Sequence, residues 1–163
     1  MIDPNEKLTK HFTLKEMTVS ASHPEIYNVP PLDKIDNIKR VCVWLEDLRA
    51  LYNTRYPRVD GKEIPITVNS GYRSLKLNRA VGGALQSNHL SGCAADIHCP
   101  GKTASERAKM ALRYASLLIE IAQVLGKDFD ELIIERKGSN WWVHFAVKPE
   151  DNRMWITVIN KYW

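Results

Sequence analysis

Two stretches of the chain repeat apolar residues at intervals of three and four, the spacing of a helix that packs one face on a core. The first stretch covers residues 32–52 and follows a pair of prolines; its apolar positions are Leu32, Ile35, Ile38, Val41, Leu45, Leu48 and Tyr52. The second stretch begins after Thr103, which forms a capping box with Glu106, and it ends at Leu125 before Gly126. The pattern therefore predicts two long helices.

Shorter stretches are rich in β-branched residues or alternate between apolar and polar positions, as strands do. The predicted strands cover residues 64–68, 94–97, 129–135, 141–147 and 154–159. A short helix is predicted over residues 75–81, and the sequence KGSN at 137–140 forms the turn of a hairpin. Two long helices and a small antiparallel sheet predict an α+β fold. A length of 163 residues suits one domain over residues 1–163.

Composition and charge narrow the classes of partner. The chain is 44% hydrophobic and 26% charged, which is ordinary for a globular protein, and its formal charge is +4. The basic residues are scattered among acidic ones, so we expect no nucleic-acid partner. The first residues contain no apolar core of a Sec signal, and no apolar run approaches the ~20 residues that span a bilayer. We therefore expect synthesis in the cytoplasm without membrane insertion. The three cysteines show no CxxC spacing, which favours reduced thiols.

The stretch SNHLSGCAAD, residues 87–96, contains candidate metal ligands among small side chains. His89 and Asp96 are seven positions apart, too far along either a strand or a helix to share one ion. They can do so only if the chain doubles back between them, and Ser91-Gly92 is the place for that turn. A histidine and an aspartate in a polar loop are more often simply solvated, so a metal site needs a third ligand.

The strand WWVHFAV offers that third ligand. Alternation places Val143 and Phe145 on the core face and His144 on the opposite face with Trp142. If this strand pairs with 129–135 as a hairpin, Glu131 and Glu135 lie on the same face as His144. Carboxylates beside a metal ligand are what metal-assisted hydrolysis requires. The other histidines do not fit the pattern as well. His11 and His23 have no ligand-like spacing and are predicted as surface or capping residues. His98 faces the side of Asp96, where it either supports the ligands or is simply solvated.

Together, the stretch SGYRSLKLNRAVGGALQSNHLSGCAADI and the later WWVH resemble the zinc D-alanyl-D-alanine carboxypeptidase family, which has the hedgehog/DD-peptidase fold. That family includes peptidoglycan endolysins of phages and vancomycin-resistance dipeptidases. The resemblance implies that His89, Asp96 and His144 bind one zinc ion and leave a fourth position open for water. A zinc-bound hydroxide would then attack the peptide carbonyl. Arg73 in SGYRS corresponds to an arginine that polarises this carbonyl or holds a substrate carboxylate.

The general base is where the sequence departs from its relatives. Several of them carry a carboxylate three residues before the last zinc histidine, but this chain has Trp141 there. We expect Glu135 to serve as the base, with Glu131 as the alternative on the same face. Ser87 and Trp142 are expected to contact the substrate, and Ser87 and Gln86 to orient the loop or the substrate.

The resemblance predicts a monomeric zinc metallopeptidase that hydrolyses peptidoglycan stem peptides, as a D,D-carboxypeptidase or as an endopeptidase of the endolysin type. The sequence fits an enzyme that acts on the cell wall after phage-type release, or a prophage remnant, and it equally fits an intracellular dipeptidase. The alternative is a zinc-stabilised module that binds the wall or belongs to a phage particle and has lost catalysis; the tryptophan at position 141 supports that reading.

Overall fold

The computed structural model describes residues 3–161 and contains three helices and five strands in this part of the chain. The helices are α1 (Ile35–Arg55), α2 (Leu75–Ala80) and α3 (Ala104–Leu125), and a 3-10 turn, Leu32–Lys34, precedes α1. The strands are β1 (Val68–Ser70), β2 (Ala94–His98), β3 (Glu131–Lys137), β4 (Asn140–Ala146) and β5 (Trp155–Lys161). The predicted α+β fold, with long helices and a mainly antiparallel sheet, is confirmed.

The ends of the long helices follow local chemistry. Thr103 and Glu106 form the predicted capping box at the start of α3, and Gly126 ends the helix in the left-handed conformation with φ 59°. At α1 the prediction was wrong in one detail, because Leu32 is 77% exposed instead of buried. The first turn is a 3-10 turn with three residues per turn, which rotates Leu32 away from the apolar stripe of the α-helix that follows.

The sheet has the strand order β1-β2-β4-β3-β5. Its first four strands pair antiparallel, and Asp96 on β2 lies directly opposite His144 on β4. The predicted hairpin of β3 and β4 is present, with Ile133 opposite His144 and Glu135 opposite Trp142. The edge strand β5 instead pairs parallel to β3. Glu131, the first residue of β3, lies between Ala146 of β4 and Trp155 of β5. The segment 147–154 therefore passes the N-terminal end of β3 and joins β4 to β5 on the other side of β3.

The strand predicted at 64–68 was placed too early, since β1 covers Val68–Ser70. The backbone of Ile64 is bound to a helix instead of a strand. Its N–H donates to Asn53 Oδ1 at 2.7 Å, and its carbonyl accepts from Asn53 Nδ2 at 2.9 Å. With both groups satisfied by the side chain on α1, Ile64 has no backbone group left for a sheet ladder.

One face of the sheet forms the core. Helix α3 packs on β4 and β3, and α1 packs against α3. Trp44 of α1 contacts Phe129 and Phe145 in an aromatic cluster. Val143 is fully buried in the same core, as predicted, whereas Trp141 is only partly buried against it. Because the helices cover this face, the opposite face of β2, β4 and β3 can line a cavity.

Across residues 3–161, no helix combines the length and the apolar character needed to cross a membrane. The cysteines Cys42, Cys93 and Cys99 are all buried and unpaired.

Candidate metal centre

Three side chains that are distant in sequence converge on the uncovered face of the sheet. His89 comes from the loop between α2 and β2, Asp96 from β2, and His144 from β4. Each offers one ligand atom, and these atoms all lie within 4.8 Å of one another. The three residues are between 2% and 9% exposed, so their polar atoms face each other instead of bulk solvent. Two imidazoles and a carboxylate form a donor set that suits zinc.

The loop that carries His89 turns back at the predicted place. Gly92 has φ +74°, and its backbone is packed so closely on α1 that an added Cβ would lie 2.8 Å from Ile38 Cγ1. The N–H of Gly92 donates to the His89 carbonyl at 3.2 Å, and the N–H of Cys93 donates to the Asn88 carbonyl at 2.9 Å. This tight turn allows His89 and Asp96 to meet although seven positions separate them.

The ring of His89 is oriented by the backbone. Its Nδ1 lies 2.6 Å from the carbonyl oxygen of Gly71, which can only accept a hydrogen bond. Nδ1 therefore carries a proton, and Nε2, 3.3 Å from Asp96 Oδ1, is the ring nitrogen that faces the cluster. A hydrogen bond of this kind is the usual way in which a metal-binding histidine is held in one tautomer.

Asp96 uses its two oxygens differently. Oδ1 faces both histidines, and Oδ2 accepts a hydrogen bond from Arg73 Nη2 at 2.8 Å. Burial favours the neutral carboxyl, but the adjacent His89 and His144 outweigh burial and hold the pKa of Asp96 well below its ordinary value. Asp96 is therefore an anion at neutral pH, as a metal ligand must be.

His144 lies between two carboxylates. Its Nδ1 is 3.0 Å from Asp96 Oδ1, and its Nε2 is 2.9 Å from Glu131 Oε2. Burial would lower the pKa of His144, but the hydrogen bonds to Asp96 and Glu131 outweigh burial and raise it to about 9. This position thus favours a positive charge. A divalent cation beside Nδ1 would supply that charge in place of the proton, so the residues present fit a metal ion.

A cavity of about 410 Å³ opens beside these residues. Its polar lining contains every residue predicted for the site, namely Arg73, Ser87, His89, Asp96, Glu131, Glu135, Trp142 and His144. Apolar side chains such as Ile133, Trp155 and Ile159 line other parts of the wall. A few converging polar groups in a partly apolar cavity are typical of a binding site for a small molecule or a peptide end.

Glu135 lies in this cavity and is held by two partners. Trp142, directly opposite on β4, donates its Nε1–H to Glu135 Oε2. Lys161 Nζ lies 2.9 Å from Glu135 Oε1 and 5.3 Å from the centre of the Trp142 ring. The Glu135 carboxylate is therefore fixed at the cavity wall.

Glu131 is bound elsewhere. Oε2 accepts from His144 Nε2 and from Asn88 Nδ2, at 2.9 and 3.1 Å, and Oε1 accepts from Arg153 Nη2 at 2.5 Å. The hydrogen bond with His144 lowers the pKa of Glu131 to about 2, against the opposing effect of burial.

Sequence reasoning missed four residues around the site: Asn88, Asp130, Arg153 and Lys161. Lys161 could have been found from the alternation of β5, which places it on the face of Trp155 and Ile159, had parallel pairing been expected. Asn88 and Asp130 each adjoin a predicted site residue. Arg153 lies in an irregular segment and gives no sequence signal.

The remaining predictions about nearby residues can also be placed. Trp141 has its ring on the core side of β4, next to the guanidinium of Arg136. Trp141 is therefore not among the residues that line the cavity. His98 is exposed at the end of β2, and His11 Nδ1 is bound to Glu46 at 2.7 Å.

The fold and the site define an α+β protein with a buried cluster of two histidines and one aspartate beside a cavity. The sequence model of the Peptidase M15 family matches residues 10–118. The chain belongs to this family, which confirms the resemblance seen in the sequence. The matched region contains His89 and Asp96, and the sheet adds His144 to them.

A second comparison gives a named relative. Over 91 residues the chain is 35% identical to the zinc D-Ala-D-Ala carboxypeptidase of Streptomyces albus G. The aligned region is 56% of this chain and 30% of that protein, so the chain matches under a third of the relative's length.

Proposed function

We propose that this protein is a zinc metallopeptidase that hydrolyses peptide bonds in peptidoglycan stem peptides. His89, Asp96 and His144 would hold one zinc ion. The observation that carries the proposal is their convergence, with all ligand atoms within 4.8 Å of one another on the wall of a cavity. When bound, zinc would supply Lewis acidity toward a substrate carbonyl and a water molecule. The protein's own residues would perform the remaining tasks.

Arg73 is suited to stabilising negative charge on the substrate. Its Nε donates to Ser70 Oγ at 2.7 Å and its Nη2 to Asp96 Oδ2 at 2.8 Å, so the guanidinium is held rigidly beside the metal ligands. Donors that are fixed before the reaction stabilise charge that develops on a carbonyl oxygen at little reorganisation cost. Alternatively, the same guanidinium could pair with a substrate carboxylate.

Glu135 is our candidate for the general base. Its carboxylate lies in the cavity, and Trp142 and Lys161 fix its orientation. A base must be held within hydrogen-bond reach of the proton that it accepts. Glu131 suits this task less well because it is bound to His144, itself a proposed zinc ligand, and is held by two further donors, Asn88 and Arg153.

Trp142 and Ser87 are proposed to contact the substrate. Trp142 forms part of the cavity wall, with its indole N–H committed to Glu135, so its ring presents an apolar surface. Ser87 Oγ accepts the His89 N–H at 3.2 Å, which leaves its own hydroxyl hydrogen available to a ligand.

The family and the named relative support this substrate class. Removal of a terminal D-alanine and cleavage within the stem peptide are both compatible with a cavity of this size. Digestion of purified peptidoglycan, with products identified by mass, distinguishes them. A D,D-carboxypeptidase releases free alanine, whereas an endopeptidase releases cross-linked or peptide fragments.

The experiment has four arms: unaltered protein, unaltered protein with a chelator, Glu135→Gln, and a matched control variant. We expect products from the unaltered protein without chelator and from the control variant, and we expect Glu135→Gln to retain one zinc per chain. Asp128→Asn, an exposed acidic residue on the loop before β3, is the matched control for loss of one charge. If the unaltered protein binds zinc and peptidoglycan but generates no product, the non-catalytic binding module is correct and the peptidase proposal is wrong.

A further inference from the structure

We infer that Glu131 is a positioning residue that orients His144, and that Asn88 and Arg153 hold Glu131 in place. This inference rests on the proposed function, because it concerns how a proposed zinc ligand is supported. It also assigns the carboxylate that the sequence offered as an alternative base to a different task.

The two nitrogens of His144 face opposite sides of the site. Nδ1 faces Asp96, the side on which His89 Nε2 also lies, so Nδ1 is the nitrogen available to a cation. Nε2 faces away from that cluster and lies 2.9 Å from Glu131 Oε2. A carboxylate at Nε2 keeps a proton on that nitrogen, so a cation would take the place of the proton on Nδ1. Glu131 thereby selects the tautomer and fixes the rotation of the ring.

The Glu131 carboxylate is itself immobilised. Arg153 Nη2 donates to Oε1 at 2.5 Å, and Asn88 Nδ2 donates to Oε2 at 3.1 Å. Both oxygens are occupied, and the side chain is 15% exposed. A carboxylate bound in this way cannot swing toward a substrate without breaking several charge-assisted hydrogen bonds.

Asp130 anchors the two donors from behind. Its side chain is fully buried and accepts from Arg153 Nη2 at 2.7 Å, from Arg153 Nε at 2.9 Å and from Asn88 Nδ2 at 2.8 Å. Lys148 Nζ lies 3.2 Å from the same carboxylate. Arg153 and Asn88 therefore each bridge Asp130 and Glu131. The negative charges of these two carboxylates are balanced by the cations Arg153 and Lys148.

This network connects both proposed histidine ligands. Asn88 adjoins His89 in the loop before β2, and Glu131 contacts His144 on β4. Arg153 comes from the segment between β4 and β5. The network therefore ties three separate parts of the chain to one arrangement of ligands. Loss of any bridge is expected to loosen the metal site even though none of these residues touches the ion.

The test measures metal affinity directly. Zinc binding is followed by competition with a chromophoric chelator, and the ligand geometry by the absorption spectrum of the cobalt(II)-substituted protein. We expect Glu131→Ala and Arg153→Met each to weaken zinc binding about 10- to 100-fold and to alter the cobalt spectrum. Arg153→Lys should recover only part of the affinity, because an ammonium cannot reproduce the forked contact with two carboxylates. Arg58→Met, which removes an exposed arginine paired with Asp60, is the control.

The outcomes separate this inference from the proposed function. If the unaltered protein binds no zinc, both are overturned. If it binds zinc tightly, and Glu131→Ala loses turnover while its zinc affinity and cobalt spectrum stay unchanged, Glu131 is the base and this inference alone is wrong. Should Glu131→Ala fail to fold, Arg153→Met and Asn88→Ala decide the question, because each removes a donor to Glu131 and keeps its carboxylate; unchanged zinc affinity in both overturns the inference.

Discussion

Asp96 and His144 lie directly opposite each other on adjacent antiparallel strands, and Asp96 Oδ1 is 3.0 Å from His144 Nδ1. Two regular strands therefore fix this half of the proposed metal centre, whereas the loop at His89 would supply the other half. A site built on strands holds its ligands more firmly than one built on loops.

Replacing Asp96 is expected to remove most of the metal affinity. Asp96→Asn keeps the shape of the side chain but loses the negative charge that faces both histidines. We expect the dissociation constant for zinc to rise by more than about 100-fold, beyond the range typical of changes outside the ligand set. Chelator competition measures it. An Asp96→Asn variant that keeps unaltered affinity would remove Asp96 from the ligand set.

Lys161 is expected to affect turnover and not metal content. Its Nζ holds Glu135 Oε1 at 2.9 Å, so Lys161→Met should leave that carboxylate less well oriented. We expect kcat on a stem-peptide substrate to fall about 10- to 100-fold, the loss typical of a misplaced reacting group. Lys161→Arg keeps the charge and should restore part of kcat. A fall in zinc stoichiometry would instead mean that Lys161 supports the fold of the site.

Replacing Gly92, in the turn that carries His89, is expected to lower the free energy of unfolding more than replacing Gly61. An alanine at 92 meets both a left-handed φ of +74° and Ile38 Cγ1 at 2.8 Å. Gly61 is the matched control, because its φ is +69° but an added Cβ would have nothing within 4 Å. We expect Gly61→Ala to lower the free energy of unfolding by about 1 kcal/mol and Gly92→Ala to lower it by about 1–3 kcal/mol more. Urea unfolding of both variants measures the difference. Equal losses would show that the contact with Ile38 relaxes freely.

Acid is expected to weaken the contribution of Asp130 to stability. Burial opposes ionisation of Asp130, but hydrogen bonds from Arg153, Asn88 and Lys148 outweigh it and hold its pKa below the ordinary value of 3.8. A carboxyl with a lowered folded-state pKa stabilises the protein above its ordinary pKa, and that stability is lost as the pH falls through the lower folded value.

Asp130→Asn should therefore be less stable than the unaltered protein at pH 7, by about 1–3 kcal/mol. The gap should narrow as the pH drops below about 4, where the unaltered carboxyl begins to lose its advantage. Urea unfolding across this range measures the gap, with Asp128→Asn as the control for net charge. A gap that stays constant with pH would show that Asp130 acts through packing alone.

Much of this architecture could be predicted because the relevant signals are local. The capping box at Thr103 and the left-handed Gly126 define α3 from neighbouring residues. The alternation in WWVHFAV placed His144 opposite the core, and the hairpin then placed Glu131 and Glu135 on the same face. The glycine at position 92 indicated the turn, because glycine tolerates the positive φ that the turn requires.

What could not be predicted depends on contacts between distant segments. Parallel pairing of β5 with β3 brings Lys161 to Glu135, and nothing in either segment specifies a parallel neighbour. Arg153 reaches Asp130 and Glu131 from an irregular segment, where periodicity carries no information. The side chain of Asn53 on α1 hydrogen-bonds to both backbone groups of Ile64, so the strand predicted at 64–68 does not begin there.

Along the sequence, helix α3 separates the segment with His89 and Asp96 from the strand with His144. These proposed ligands therefore become neighbours only after β2 has paired with β4. A bound ion would stabilise that long-range pairing of β2 with β4. It would favour the folded chain by mass action, since the unfolded chain keeps the three ligands apart. Under the proposed function, loss of zinc would thus shorten the lifetime of the folded protein and also abolish its activity.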